Sequence, residues 1–219
     1  MNVLELFAGS RSFSKVAEKL GCSTYTTDLE PFDKIDQVCS IFDFDCDKVP
    51  FTPDIIWCSP PCRTFSIASC STHFNKDEDV GFYPKTEDAK VGLEIITKMQ
   101  EIIAHFGDKN PDLIFIIENP RGLLRKMPEM DKYNKYRNTI WYCQYHTEED
   151  DLKRAKPTDI WSNADWKPRP VCKNGNPDCN HERAPRGSKT GTQGLKGSYE
   201  RSKVPSALCE EILRSILEF

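Results

Sequence analysis

Apolar and polar positions along the first two thirds of the chain follow two periods in turn, that of a strand and that of a helix. Val3-Leu4-Glu5-Leu6-Phe7 predicts a strand and Ala8-Gly9-Ser10 a turn, after which Phe13, Val16, Ala17 and Leu20 recur at helical spacing until Gly21. Ser23 to Asp28 predicts a second strand ending in an acid, and Asp54 to Cys58 a third that runs into Pro60-Pro61-Cys62. Between Thr86 and Phe106 the positions Ala89, Leu93, Ile96, Met99, Ile103 and Phe106 mark one face of a long helix, and Leu113 to Glu118 predicts a fourth strand. Thr139 to Cys143 and Asp159 to Trp161 read as two more short strands around a polar loop from His146 to Pro157. Residues 163 to 200 have no regular period. Pro205 then opens a closing helix with Leu208, Ile212, Leu213 and Ile216 on its buried side. Strands alternating with helices predict an α/β fold: a mainly parallel sheet with helices on both faces and ligands at the carboxyl ends of the strands.

The chain has 219 residues, enough for one domain with a full core and an appended element. No run approaches the roughly 20 apolar residues of a membrane span, and no basic leader precedes the first strand, so a soluble, cytoplasmic protein with no membrane partner is expected. Ten cysteines are scattered along it, which in an intracellular chain implies reduced thiols, most of them small core residues. The net charge of −4 excludes a protein coated in positive charge. It hides a local excess, because residues 167–203 hold nine Lys and Arg against three Asp and Glu, with glycines and prolines between them. Such a stretch suits a phosphate backbone, or is a solvated loop.

Two strand ends carry the candidate chemistry. In Ile55-Ile56-Trp57-Cys58-Ser59-Pro60-Pro61-Cys62-Arg63-Thr64-Phe65-Ser66 two prolines stiffen the turn and present the Cys62 thiol in one direction, and Arg63 beside it favours a thiolate. Leu113 to Ile117 delivers Glu118-Asn119-Pro120, and a carboxylic acid at the edge of a buried strand is suited to donate a hydrogen bond in its protonated form. The Phe7-Ala8-Gly9-Ser10 turn, with Asp28 at the end of the second strand, suits a nucleotide-like cofactor whose ribose hydroxyls meet the acid. The full G-x-G-x-x-G pattern is absent, which argues against a nicotinamide cofactor.

Phe7-Ala8-Gly9, Pro60-Pro61-Cys62 with Phe65-Ser66, Glu118-Asn119 and Arg154-Ala155-Lys156, in this order, resemble the ordered motifs of S-adenosylmethionine-dependent DNA (cytosine-5) methyltransferases. The resemblance covers roughly residues 1 to 163 and implies a Rossmann-like class I methyltransferase fold. It makes Cys62 the nucleophile, Glu118 the acid that meets the cytosine ring, and Arg154 a charged partner near the reacting base. The implied S-adenosylmethionine set is Phe7, Ala8, Gly9, Ser10, Asp28, Leu29, Ser40, Ile41, Ser59 and Pro60. The implied base and DNA contacts are Arg63, Ser66, Asn119 and Lys156, together with Arg186 and Lys189 of the basic segment. The chain then divides into a catalytic core (1–163), an irregular basic segment in place of a target-recognition region (164–203) and a C-terminal helix packing back on the core (204–219).

The chain departs from the family pattern in several places. Ser10-Arg11-Ser12 stands where further glycines are usual, and Pro120 follows Glu118-Asn119. The acid that typically meets the adenine falls at Cys39-Ser40-Ile41, leaving Ser40 or Asp43 as candidates. The shortness of the 164–203 segment leaves sequence specificity relaxed or supplied by a partner. That segment also places Cys172, Cys179 and His181 close together, a zinc site if Cys70 or Cys143 approaches as a fourth ligand. Ser59-Pro60-Pro61 also resembles the signature of amino-group methyltransferases acting on cytosine N4 or adenine N6, with Cys62 where their aromatic residue stands. A catalytically silent nucleic-acid-binding module is the third reading, and RNA or a free cytosine nucleotide stays open beside DNA as acceptor.

Overall fold

The register of the central sheet explains how the candidate residues come together. In the computed structural model, which describes residues 1–148, 154–173, 176–179, 181 and 198–217, strands β1 (Asn2–Leu6), β2 (Ser23–Asp28), β3 (Gln37–Val38), β4 (Ile55–Cys58), β7 (Ile114–Pro120), β8 (Arg137–Trp141) and β9 (Pro157–Ser162) form one sheet in the order β3-β2-β1-β4-β7-β9-β8. The first five strands in that order are parallel, and β9 runs antiparallel to both β7 and β8. Leu6 is opposite Thr27 and Cys58, and Cys58 is opposite Ile117. One residue further on, Phe7, Asp28, Ser59 and Glu118 therefore stand in a row along the carboxyl edge, where the strand order reverses on either side of β1.

The pleat divides each strand between two cores. Leu4, Leu6, Ile56, Cys58 and Ile117 face helix α3 (Glu87–Lys109), whose buried stripe is Ala89, Ile96, Met99, Ile102, Ile103 and Phe106. Val3, Ile55, Trp57, Ile116 and Ile160 face α1 (Ser12–Lys19) and α5 (Ser206–Leu217), with Phe13 stacked on Trp57 at 4.5 Å. The expected α/β architecture, mainly parallel and covered on both faces, is the one observed. Helix α5 is tied back to the start of the fold, since the backbone N–H of Val204 donates to Ser12 Oγ at 3.1 Å.

Some elements have no counterpart in the hydrophobic pattern. They are the two-residue β3, the short α2 (Cys70–His73), the hairpin β5 (Phe74–Asp77) and β6 (Gly81–Pro84), the 3₁₀ stretch Pro128–Tyr136, and α4 (Ser198–Ser202). The strand expected at Thr139 to Cys143 is shifted to Arg137–Trp141, because Tyr142–Tyr145 turns into a 3₁₀ helix. Among the described residues no helix is long and apolar enough to cross a membrane.

Candidate active site

Strand β1 leaves the sheet through a turn of unusual backbone. Phe7, Gly9 and Arg11 have φ of +58°, +47° and +55°, a left-handed region that disfavours residues with a Cβ by ~1–2 kcal/mol. The turn is held by Ala8 N–H to Thr27 O (2.9 Å) and Arg11 N–H to Ala8 O (2.6 Å). Asp28 fixes its middle, its Oδ2 accepting the Gly9 N–H at 2.8 Å while Oδ1 accepts the Glu30 N–H at 3.0 Å. Beneath it Glu5 is buried, and its Oε2 accepts the Ser14 N–H at 2.8 Å at the start of α1. Burial pushes the Glu5 carboxyl up to about 7, against the pull of its hydrogen bonds to Ser14 and Phe13.

An open pocket lies beside this turn. Phe7, Asp28, Leu29, Ser40 and Ile41 line it, as expected of a cofactor site, and so do Thr27, Cys39, Phe42, Pro61 and Ile95, which the sequence reading missed. Ala8, Gly9, Ser10, Ser59 and Pro60 do not line it. Ser10 Oγ bonds instead to Ser12 Oγ at 2.7 Å, and Ser59 Oγ turns back to accept the Trp57 indole N–H at 2.8 Å. Ser40 Oγ accepts the Phe42 N–H at 3.4 Å, so it serves both as wall and as cap of the next turn, while Asp43 stands exposed and off the pocket.

The Cys62 turn is clamped from two sides. Asn119, buried at the end of β7, donates its Nδ2 to Pro60 O at 2.9 Å, and the Leu123 N–H donates to Phe65 O at 2.7 Å. Gly122 permits this approach, because a Cβ there would stand 2.3 Å from Phe65 O. On the other side Gly92 of α3 leaves room for Thr64 and the Phe65 ring. Cys62 itself is half-buried, with its carbonyl accepting the N–H groups of Phe65 and Ser66.

Glu118 points to the opposite face of β7 from Asn119. Its Oε1 accepts the Tyr142 hydroxyl at 2.8 Å and lies 3.8 Å from Lys156 Nζ, which also sits 4.6 Å over the Tyr142 ring. Burial, reinforced by the Glu118 carboxylate, holds the Tyr142 hydroxyl well above its ordinary range, so it is a lasting donor. Both of these contacts fall on Oε1 and orient the Glu118 carboxyl group at the end of β7.

Thiol, acid and pocket thus share one carboxyl edge, and this chain aligns from end to end with a known relative. It is 30% identical to the Probable DNA (cytosine-5)-methyltransferase of Frog virus 3 (isolate Goorha) over 97% of this chain and 99% of that protein. The chain belongs to the DNA (cytosine-5)-methyltransferase family. No family model matches it. Among solved structures, the Entamoeba histolytica methyltransferase EhMeth (15% identity, TM-score 0.47) covers 74% of this chain, and a mutant of Spodoptera frugiperda DNMT2 (13%, 0.42) covers 77%. The chain spans about half the length of these two, 52% and 53%.

The remaining candidate residues of this methyltransferase have surroundings of their own. Arg63 is 82% exposed and reaches Asp88 at 3.6 Å, so its described partner is an acid on the first turn of α3 rather than the thiol. Ser66 Oγ bonds to Ser69 Oγ at 2.7 Å within the turn. Arg154 is buried and donates to the carbonyl of Glu200 on α4 at 3.1 Å. Arg186 and Lys189 lie outside the described residues. Arg125 and Asp159, neither of them a site candidate in the sequence, form a two-pronged ion pair under the end of β7, with the Thr139 hydroxyl also donating to Asp159 at 2.7 Å. Cys172, Cys179 and His181 converge, and the fourth member of their cluster is Cys143. Cys70 lies in α2 and takes no part in it.

Proposed function

We propose that this chain methylates cytosine C5 in DNA, with S-adenosylmethionine as donor and Cys62 as nucleophile. The observation that carries the reading is the clamp joining the Cys62 turn to the end of β7, through Asn119 to Pro60 and through Leu123 to Phe65. It couples a thiol to an acid across two strands, which cytosine chemistry requires. C5 is too weak a nucleophile to take a methyl group, so the Cys62 thiolate first adds to C6 and moves electron density onto C5. Glu118, oriented by Tyr142 and Lys156, donates a hydrogen bond from its protonated carboxyl to N3 and stabilises the charge that develops on the ring. After transfer the C5 proton passes to water, its electron pair restores the C5–C6 double bond, and the C6–S bond breaks to release Cys62 as thiolate. A cytosine in a duplex has to leave the stack to reach this edge.

The lining of the pocket fits the donor. Leu29, Ile41 and Phe42 offer apolar surface to a purine, and both Asp28 oxygens keep a lone pair for ribose hydroxyls after accepting one N–H each. When bound there, S-adenosylmethionine supplies an electrophilic methyl group. We further assign 1–163 as the catalytic core and 164–203 as a short substitute for a target-recognition region, with its basic residues on the phosphate backbone. Specificity is correspondingly short or supplied by a partner.

Labelled S-adenosylmethionine offered with DNA, RNA and free cytosine nucleotide in parallel tests this. Label is expected in DNA at C5, with a stable adduct to Cys62 when the DNA carries 5-fluorocytosine. Transfer undiminished in Cys62→Ser, or a methyl located on an exocyclic nitrogen, would overturn it in favour of an amino-group methyltransferase.

A further inference from the structure

Away from the carboxyl edge, four side chains from two separate stretches of chain point at a common centre. The ligand atoms of Cys143, Cys172, Cys179 and His181 all lie within 4.8 Å of one another. His181 Nδ1 is 3.2 Å from Cys179 Sγ and 3.5 Å from Cys172 Sγ, so one ring nitrogen faces both sulfurs. Four ligands around a shared zinc, at about 2.3 Å for sulfur and about 2.0 Å for nitrogen, stand about 3.5–3.8 Å apart in a tetrahedron. The cluster needs only a small rearrangement to reach that spacing.

We propose that Cys143, Cys172, Cys179 and His181 bind one structural zinc ion. Three thiolates and an imidazole are soft and borderline donors, the set that selects zinc over magnesium or calcium, and four protein ligands leave no open position for substrate. The surroundings are those of a built site. Asn176 Nδ2 approaches Cys172 Sγ at 3.5 Å and Gln144 Nε2 approaches Cys179 Sγ at 3.8 Å, and such amide donors stabilise metal-bound thiolates. Cys172 is buried in a stretch of irregular backbone with few other apolar anchors, a place where a metal replaces a hydrophobic core.

The site also has a definite mechanical role. Cys143 belongs to the 3₁₀ turn Tyr142–Tyr145, and the preceding residue, Tyr142, holds Glu118. The segment that supplies the other three ligands is already docked on that turn through Arg169, whose N–H donates to the Tyr145 hydroxyl at 2.8 Å and whose guanidinium donates to Gln144 O at 2.7 Å. Zinc therefore fastens the chain after β9 to the turn that orients the acid. This consequence for the acid rests on the proposed role of Glu118, whereas metal binding does not.

The test is metal content and coordination in protein purified reduced and without a histidine tag. Elemental analysis is expected to give about one zinc per chain, and X-ray absorption at the zinc edge three sulfurs and one nitrogen. Cys143→Ser and Cys179→Ser are expected to retain less than about a tenth of it, with Cys46→Ser unchanged. Because such variants can misfold, wild-type protein stripped by a chelator and refilled with Co²⁺ provides the second measurement, expected to show tetrahedral thiolate-cobalt absorption. Hydrogen exchange across residues 142–145 and 164–173 is expected to rise on stripping and fall on refilling. Reduced protein that holds no zinc and takes up no Co²⁺, metal retained in Cys143→Ser and Cys179→Ser, or a Cys172 to Cys179 disulfide in fresh protein would each overturn the assignment. None of these readouts depends on methyl transfer, so failure of the zinc site and failure of the proposed activity are separable.

Discussion

Asn119 and Glu118 are neighbours on one strand whose side chains leave by opposite faces, and the pair thereby fixes two halves of one site. Asn119 reaches through to Pro60 on the thiol side, and Glu118 reaches Tyr142 on the other. The pleat alone accounts for the division of labour.

Replacing Asn119 by Ala is expected to leave Pro60 O unpaired and destabilise the protein by about 1–3 kcal/mol. The larger effect is on chemistry, because the Cys62 turn loses its tie to β7. The rate of adduct formation with 5-fluorocytosine DNA should fall at least ~10-fold while cofactor affinity stays within about 2-fold, as read by single-turnover kinetics and calorimetry.

The two glycines that pinch the same turn are expected to respond differently to a methyl group. At position 92 the nearest atom is the rotatable Thr64 hydroxyl at 2.9 Å, and Ala gains up to ~1 kcal/mol of helix propensity over Gly, so Gly92→Ala should be close to neutral in urea unfolding. At position 122 the nearest atom is the Phe65 carbonyl at 2.3 Å, which is backbone. Gly122→Ala is therefore expected to cost about 1–3 kcal/mol and to slow catalysis by displacing the thiol turn.

Tyr142→Phe removes the hydroxyl from Glu118 Oε1 and keeps the ring under Lys156. A ~10-fold or greater drop in kcat with little change in KM for the cofactor is the expected outcome. Equal losses in cofactor binding would show that the tyrosine acts on the fold instead.

Glu5 confers a pH dependence of its own. Its carboxyl is raised from 4.5 to about 7 by burial in the native state, so the native protein holds a proton that the unfolded chain releases between those values. Its stabilising contribution is complete below about pH 4.5 and is lost as pH rises through about 7, roughly 3 kcal/mol in all. Denaturant unfolding at pH 5 and pH 8 should show Glu5→Gln losing less stability over that interval than the wild type.

The strands that position the site were legible because they are buried on both faces and read as apolar runs, as at Ile55 to Cys58 and Leu113 to Ile117. Cys62 and Glu118 stood out as candidates because they come just beyond such runs. Gln37–Val38 escaped notice because two residues carry no period, and the hairpin at Phe74–Asp77 because three of its four residues are exposed. The partnership of Tyr142 and Lys156 with Glu118 was hidden for another reason. Their contact with Glu118 depends on the antiparallel return of β9, a long-range pairing that no local pattern encodes. Arg125 and Asp159 meet only in the folded chain, and among the candidate metal ligands only Cys172, Cys179 and His181 are near enough in sequence to be seen together.

The bond from Val204 to Ser12 spans 192 positions of sequence. Ser202 also stands over Gly9, where a side chain would come within 3.5 Å of its hydroxyl. During synthesis the turn after β1 is thus made well before the residues that complete it, which follow 192 positions later. A nascent chain stalled before α4 would carry both Cys62 and Glu118 without the segment that closes over Gly9, so competence for methyl transfer is expected to arise late and all at once.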